Sequence, residues 1–369
     1  MLRIPTLTLL FFVLSNFSKP YPLPLSVLPS KLSPSHSVSI SLGSPPIDVA
    51  LIVDSGSHHL ALPCSHDLKK GKGKGKGGDY EVGKSISAAY HDCESCPHET
   101  QCDGGFCVHT QGYSEGSKWT SKTVTDKVSN LGVESKSLTE STIYCITEQT
   151  GMFEDQPEDG LLGLARGADL LQSFGSSESS SPPSYRLCMT PVGGYIDFEP
   201  SDSDSGSDSD KLDAPHSQLI KNTNDYYSVK IDHIALGGVL LQCNKVYYNR
   251  GKGTILDTGT TDIYLPRDCR ASFEKIWRDL TERAFHNDEA YYDYAEFEML
   301  PSLVFYVAGG TEFTVHPSSY MEGTDTLGHF TCRIYLDEQY GIIVGAFGLQ
   351  YHAIDFEGGG VRIKESECW

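Results

Sequence analysis

Positive charge is scarce in this chain. Its 369 residues hold 29 Lys and Arg against 49 Asp and Glu, a net charge of −20. Such a surface repels phosphate backbones and anionic lipid, so neither nucleic acid nor a membrane surface is expected as a partner. Long apolar runs are also scarce. The stretch from Ile4 to Leu14 is too short for a membrane helix, which needs roughly 20 apolar residues, and no second long run follows. The sole Asn-x-Ser/Thr match, Asn16-Phe17-Ser18, lies beside that stretch, so N-glycosylation of the remainder is not expected. Apolar residues make up 38% of the chain, with 20 Tyr and 15 Phe, enough for a substantial core. Wholesale disorder is excluded, and the length points to two lobes.

Met1-Leu2-Arg3 followed by Leu7, Leu9, Leu10, Phe11, Phe12, Val13 and Leu14 has the flank and length of a secretory signal, expected over 1–18. An uncleaved anchor is the rival reading. Eleven cysteines in a chain entering an oxidising compartment read as disulfides with one thiol left over. The expected location is the secretory pathway, ending in an extracellular or vacuolar/lysosomal-type compartment, with a soluble monomer and no membrane span once the signal is removed.

The Pro-, Ser- and Leu-rich stretch 19–35 reads as a short prosegment or leader. Alternation over His36 to Leu42, a Gly-Ser-Pro-Pro turn and the run Val49 to Val53 read as a hairpin. Short strands are expected at Tyr226 to Ile231, Val239 to Val246, Leu303 to Val307 and Thr311 to Val315. A helix is expected from Asp268 to Ala284, where Phe273, Ile276, Trp277 and Leu280 share one face. Lys69 to Gly78 and the Ser/Asp repeat from Ser201 to Asp210 lack anything to bury and read as loops, with calcium binding or phosphorylation the rival for the second. The chain is therefore all-β with a few short helices. Its expected division is an N-terminal lobe over 36–198, an inserted acidic connection over 199–225 and a C-terminal lobe over 226–369.

One internal repeat carries chemistry. Leu51-Ile52-Val53-Asp54-Ser55-Gly56-Ser57 matches Thr254-Ile255-Leu256-Asp257-Thr258-Gly259-Thr260. Each copy is an apolar strand, an Asp at its end and a tight turn built from two hydroxyl residues around Gly. Each is followed downstream by an apolar-apolar-Gly segment, Leu161-Leu162-Gly163 and Ile343-Val344-Gly345. Two carboxylates held together cannot both ionise cheaply, so the pair keeps one shared proton over an acidic range. A water between them can then lose a proton to one acid while the other donates to a scissile carbonyl. Gly in each turn lets backbone N–H groups approach the carboxylates. A lone Asp-Ser-Gly is usually just a turn, but two copies with two partners in the same order exceed that explanation. A glycosidase using two carboxylates has no need of these Gly-containing turns.

With these motifs the sequence resembles the pepsin-like aspartic peptidases from about His36 to Cys368. The resemblance implies a double β-barrel with pseudo-twofold symmetry, a central cleft and an extended polypeptide substrate, with no cofactor and no metal. It implies Asp54 and Asp257 as the catalytic pair, supported by Ser55, Gly56, Ser57, Thr258, Gly259 and Thr260, with Gly163 and Gly345 passing beneath the two loops. Tyr113-Ser114-Glu115-Gly116-Ser117 resembles the flap of the nepenthesin and plasmepsin V branch, so Tyr113, Ser114 and Gly116 would meet substrate. Work at acid pH is expected, with a catalytically silent binding or inhibitor protein on the same fold as the alternative.

The pattern departs from the family in three places. Where many members carry the Trp that hydrogen-bonds the flap tyrosine, this chain has Ala61, so the flap needs another partner. His58 and His59 admit two readings, a pH-sensitive or metal site and plain turn residues. The leader is short for a removable inhibitory segment. Cys93, Cys96, Cys102 and Cys107 read as disulfides with a zinc knuckle as the rival, and family position suggests Cys269 with Cys332 and Cys188 with Cys368.

Overall fold

The computed structural model describes residues 22–28, 34–64, 80–113, 116–132, 139–174, 184–199, 212–220 and 225–368. The expected signal peptide, the Lys-Gly tract, Ser114 and the Ser/Asp repeat lie outside the described residues. The fold is a pepsin-like, bilobal all-β architecture, and among the described residues the strands form sheets of fifteen, five, four and three. Among the described residues no helix is long and apolar enough to cross a membrane.

Strand Ile47–Asp54 has Leu51, Ile52 and Val53 all buried. Such a run, apolar on both faces, suits a strand covered on both sides. It pairs in parallel with Gly160–Gly163, which places Gly163 beside Asp54. Gly160–Gly163 in turn pairs antiparallel with Leu60–Pro63, which runs parallel to Thr139–Thr150. The second half repeats this order. Thr254–Leu256 is parallel to Ile342–Val344, which is antiparallel to Ile263–Pro266, itself parallel to Ile334–Glu338. The sequence repeat is thus a repeat of strand pairings, and both copies lead an Asp out of a buried strand.

Ser35–Leu42 and Ile47–Asp54 form the hairpin read from the sequence. Leu23–Leu28, inside the stretch read as a leader, is a strand of the large sheet, antiparallel to both Ser35–Leu42 and Gly193–Glu199. Leu23 and Leu25 are buried there, an alternation that the surrounding prolines disguise. His352–Phe356 enters the same sheet through Ser184–Thr190, so residues from both ends of the chain share it.

The helix spans Arg270–Thr281, inside the expected range, and buries Phe273, Ile276 and Trp277 while Glu282 ends it in the left-handed region. Strands Leu303–Val307 and Glu312–Val315 fall where expected. Val239 to Val246 is a correction. Only Val239–Leu240 is strand, and Asn244 accepts a hydrogen bond from Val246 N–H to start a short helix, Lys245–Asn249.

Five disulfides join Cys64 to Cys145, Cys93 to Cys102, Cys96 to Cys107, Cys188 to Cys368 and Cys243 to Cys269. The Cys188–Cys368 pair is as suggested, and the four clustered cysteines bond to one another. Pairing of Cys269 with Cys332 is overturned. The start of the Lys245–Asn249 helix is tied to the turn before the long helix, Asn244 N–H donating to Asp268, which brings Cys243 to Cys269. Cys332 remains a buried free thiol on another strand.

Candidate active site

Asp54 ends its strand, and the turn after it folds back onto the carboxylate. Gly56 N–H donates to Asp54 Oδ1 at 2.8 Å and Ser57 Oγ–H donates to Oδ2 at 2.5 Å. The second copy does the same: Gly259 and Thr260 N–H groups donate to Asp257 Oδ1 at 3.0 and 3.2 Å, and Thr260 Oγ1–H donates to Oδ2 at 2.8 Å. Each carboxylate is therefore fixed by its own turn.

The middle residues of the two turns bind the loops to each other. Ser55 N–H donates to Thr258 Oγ1 and Thr258 N–H donates to Ser55 Oγ, both at 3.0 Å. Their hydroxyls then donate onward, Ser55 to Leu256 O at 2.9 Å and Thr258 to Val53 O at 2.7 Å. Both residues are buried, so loss of either hydroxyl would strand a backbone N–H without water, at a cost of about 1–3 kcal/mol.

Glycine is required in each turn by close approach. A Cβ on Gly56 would stand 2.5 Å from Asp257 Oδ1, and one on Gly259 would stand 2.2 Å from Asp54 Oδ1. Each carboxylate thus lies against the opposite turn's glycine. Gly163 and Gly345 answer the same demand beneath the loops, where a Cβ would fall 2.4 Å from His59 N and 2.3 Å from Asp262 O. Leu164 N–H donates to Asp54 O at 2.7 Å, and Asp257 N–H donates to Val344 O at 3.0 Å.

Burial raises the Asp54 pKa, the nearby Asp257 carboxylate raises it further, and the Ser57 and Gly56 bonds oppose them; the outcome is about 7. Burial also raises Asp257, but Thr260, Gly259 and the more distant Lys252 pull the other way. The pair holds a proton well above the ordinary carboxylate range, because burial raises both acids and each turn's hydrogen bonds only partly offset it. One protonated and one ionised carboxyl, fixed side by side, form an acid and a base that share a reaction centre.

The residue comparisons fit this geometry. Residues 36–198 match the family described as xylanase inhibitor N-terminal, and residues 205–367 match the eukaryotic aspartyl protease family. The chain thus carries a domain of the xylanase inhibitor N-terminal family followed by a domain of the eukaryotic aspartyl protease family. Among its pepsin-like relatives, plasmepsin V of Plasmodium falciparum is 27% identical over 169 residues, covering 43% of this chain and 28% of that protein. Nepenthesin-1 of Nepenthes gracilis is 25% identical over 247 residues, 64% of this chain and 54% of that protein. Cathepsin E of Aquarana catesbeiana is 22% identical over 289 residues, 76% and 65% of the two chains.

The segment expected as the flap is the turn of a hairpin formed by Phe106–Gly112 with Lys118–Ser129. Tyr113 N–H donates to Ser117 O, and Gly116, at φ +97°, donates to Tyr113 O. The missing partner at Ala61 is supplied from elsewhere: Trp119 Nε1–H donates to Tyr113 Oη at 3.2 Å. The sequence motif, which ends at Ser117, gives Trp119 no role, although a large aromatic six residues beyond the tyrosine was the available signal. His59 is buried, its Nδ1 3.2 Å from Asp169 and its ring 4.2 Å from Tyr144 and 4.7 Å from His109. Among the described residues no group of three or more His, Cys, Asp or Glu is arranged to hold a metal ion. Also unforeseen is Tyr185, which donates to Leu164 O at 3.1 Å beneath Asp54 and stacks on Phe356.

Proposed function

We propose that this protein is an aspartic endopeptidase with Asp54 and Asp257 as its catalytic pair. The observation that carries the reading is the mutual fit of the two turns, each aspartate held by its own loop and pressed against the glycine of the other. A water between the carboxyls gives a proton to the ionised acid as its oxygen adds to the scissile carbonyl carbon. The protonated acid meanwhile donates to the carbonyl oxygen. The resulting gem-diol collapses when the carbon–nitrogen bond breaks: the acid that gained the water's proton gives it to the nitrogen, the other, now ionised, takes a proton from a diol hydroxyl, and no covalent enzyme intermediate forms.

Because Asp54 keeps its proton up to about pH 7, activity is expected through the acid range and falls as pH rises past that point. Five disulfides support an oxidising compartment of the secretory pathway. The chain spans 28% of plasmepsin V and 54% of nepenthesin-1, and the activity is our own reading. The match of residues 36–198 to the xylanase inhibitor description favours the one rival, a silent binding protein, against which stand two intact, supported acids. Cleavage of an unfolded polypeptide, its block by a statine-type tetrahedral mimic and its loss in Asp54→Asn and Asp257→Asn together test the reading.

A further inference from the structure

We infer that Trp119 is the positioning residue for the flap tyrosine, an assignment that rests on the peptidase reading above. Trp119 lies one residue pair from the turn of the flap hairpin, paired with Gln111 on one side and Gln149 on the other. Its side chain is 1% exposed. An indole N–H buried so completely requires an acceptor, and its partner is Tyr113 Oη at 3.2 Å.

The indole packs with Ala61, Tyr144 and Ile146 in a small apolar cluster against which Tyr113 and Phe153 lean. The His109 and Tyr144 rings stand 5.5 and 6.0 Å from it. Ala61 is fully buried on Leu60–Pro63, the strand next to Gly160–Gly163, and its methyl group leaves room for the indole. A large residue at 119 and a small one at 61 therefore form an exchange of volume, with the hydrogen-bond donor approaching the tyrosine from the flap's own strand. Two further contacts fix the tip: the Phe153 ring lies 5.2 Å from that of Tyr113, and Met152 N–H donates to Ser117 Oγ at 3.0 Å. Trp119 touches no reacting group, and its effect passes through Tyr113.

Trp119→Phe keeps the aromatic fill and removes the N–H. Loss of one neutral hydrogen bond corresponds to about two- to tenfold, so kcat/KM falls by that factor. KM carries most of the change, because the flap closes on substrate and transition state alike. Tyr113→Phe gives a similar loss and the double variant no further one, since both remove the same bond. Amide exchange at Tyr113 and Gly116 speeds up in Trp119→Phe, while the thermal midpoint stays close to that of the wild type. Unchanged kcat/KM and exchange, or losses that multiply in the double variant, overturn the assignment. A wild-type chain that cleaves nothing defeats the peptidase reading separately, and the exchange comparison then decides the role of Trp119 by itself.

Discussion

Asp54→Asn separates the electrostatic cost of the site from its chemistry. Asn is neutral at every pH, as Asp54 is while it holds its proton, and the two side chains have nearly the same shape. Below about pH 4 an aspartate is protonated in the folded and unfolded chains alike, so variant and wild type differ little. Between that pH and about 7 the unfolded chain ionises its aspartate while the folded chain still holds the proton. The folded state then binds more protons than the unfolded one, and stability falls as pH rises. A rise from the ordinary 3.8 to about 7, at about 1.4 kcal/mol per pH unit, amounts to about 4 kcal/mol. This is a large share of the roughly 5–15 kcal/mol that holds a typical domain folded. Urea unfolding of the disulfide-intact chains at intervals from pH 4 to 8 reads it directly. The two proteins should match near pH 4, and the variant should be more stable by about 4 kcal/mol at pH 7. Groups remote from the pair titrate alike in both and cancel from the difference, while the lost repulsion with Asp257 is part of the effect that is read. Parallel curves across the whole range would refute the claim that burial and Asp257 hold a proton on Asp54.

Ser57→Ala removes the hydroxyl that favours ionised Asp54, so the high-pH limb of the activity profile should move upward while the maximal rate falls; a limb that stays in place or moves down counts against this role. Cys332 is buried and its thiol is pushed up to about 12, so a thiol reagent near neutral pH should label nothing in the folded chain and one cysteine in urea without reductant. Two or more labelled cysteines would contradict the disulfide set.

The parts of the site legible in the sequence were those governed by local geometry. Asp54 and Asp257 stand at the ends of apolar runs and are followed by turns whose hydroxyls and glycine reach back within three residues, so spacing alone places the donors. Gly163 and Gly345 were legible because the repeat occurs twice with its partners in order. Features that depend on which distant strands become neighbours were hidden. Trp119 meets Tyr113 only once both lie on one hairpin over Ala61, and no spacing announces that a small residue at 61 has been exchanged for a large one at 119. Cys243 reaches Cys269 through a capped helix inside a stretch that alternates like a strand. Leu23–Leu28 looks like a leader by composition, and its place in the sheet follows from partners at Ser35–Leu42 and Gly193–Glu199. Val49 to Val53 and Leu303 to Val307 were read correctly because burial on one or both faces sets a strand's pattern wherever its neighbours come from.

The account stands on two aspartates acting as one acid–base unit, and the cleavage rate of an unfolded polypeptide across pH 3 to 8 tests this most directly in the wild type, Asp54→Asn and Asp257→Asn. The wild type should cleave in the acid range and lose activity as pH rises through about 7. Each variant should fall by at least about a hundredfold at every pH, the lower end for loss of a positioned acid or base. A folded variant that keeps the wild-type rate, or a wild-type chain inert over the whole range, would contradict it.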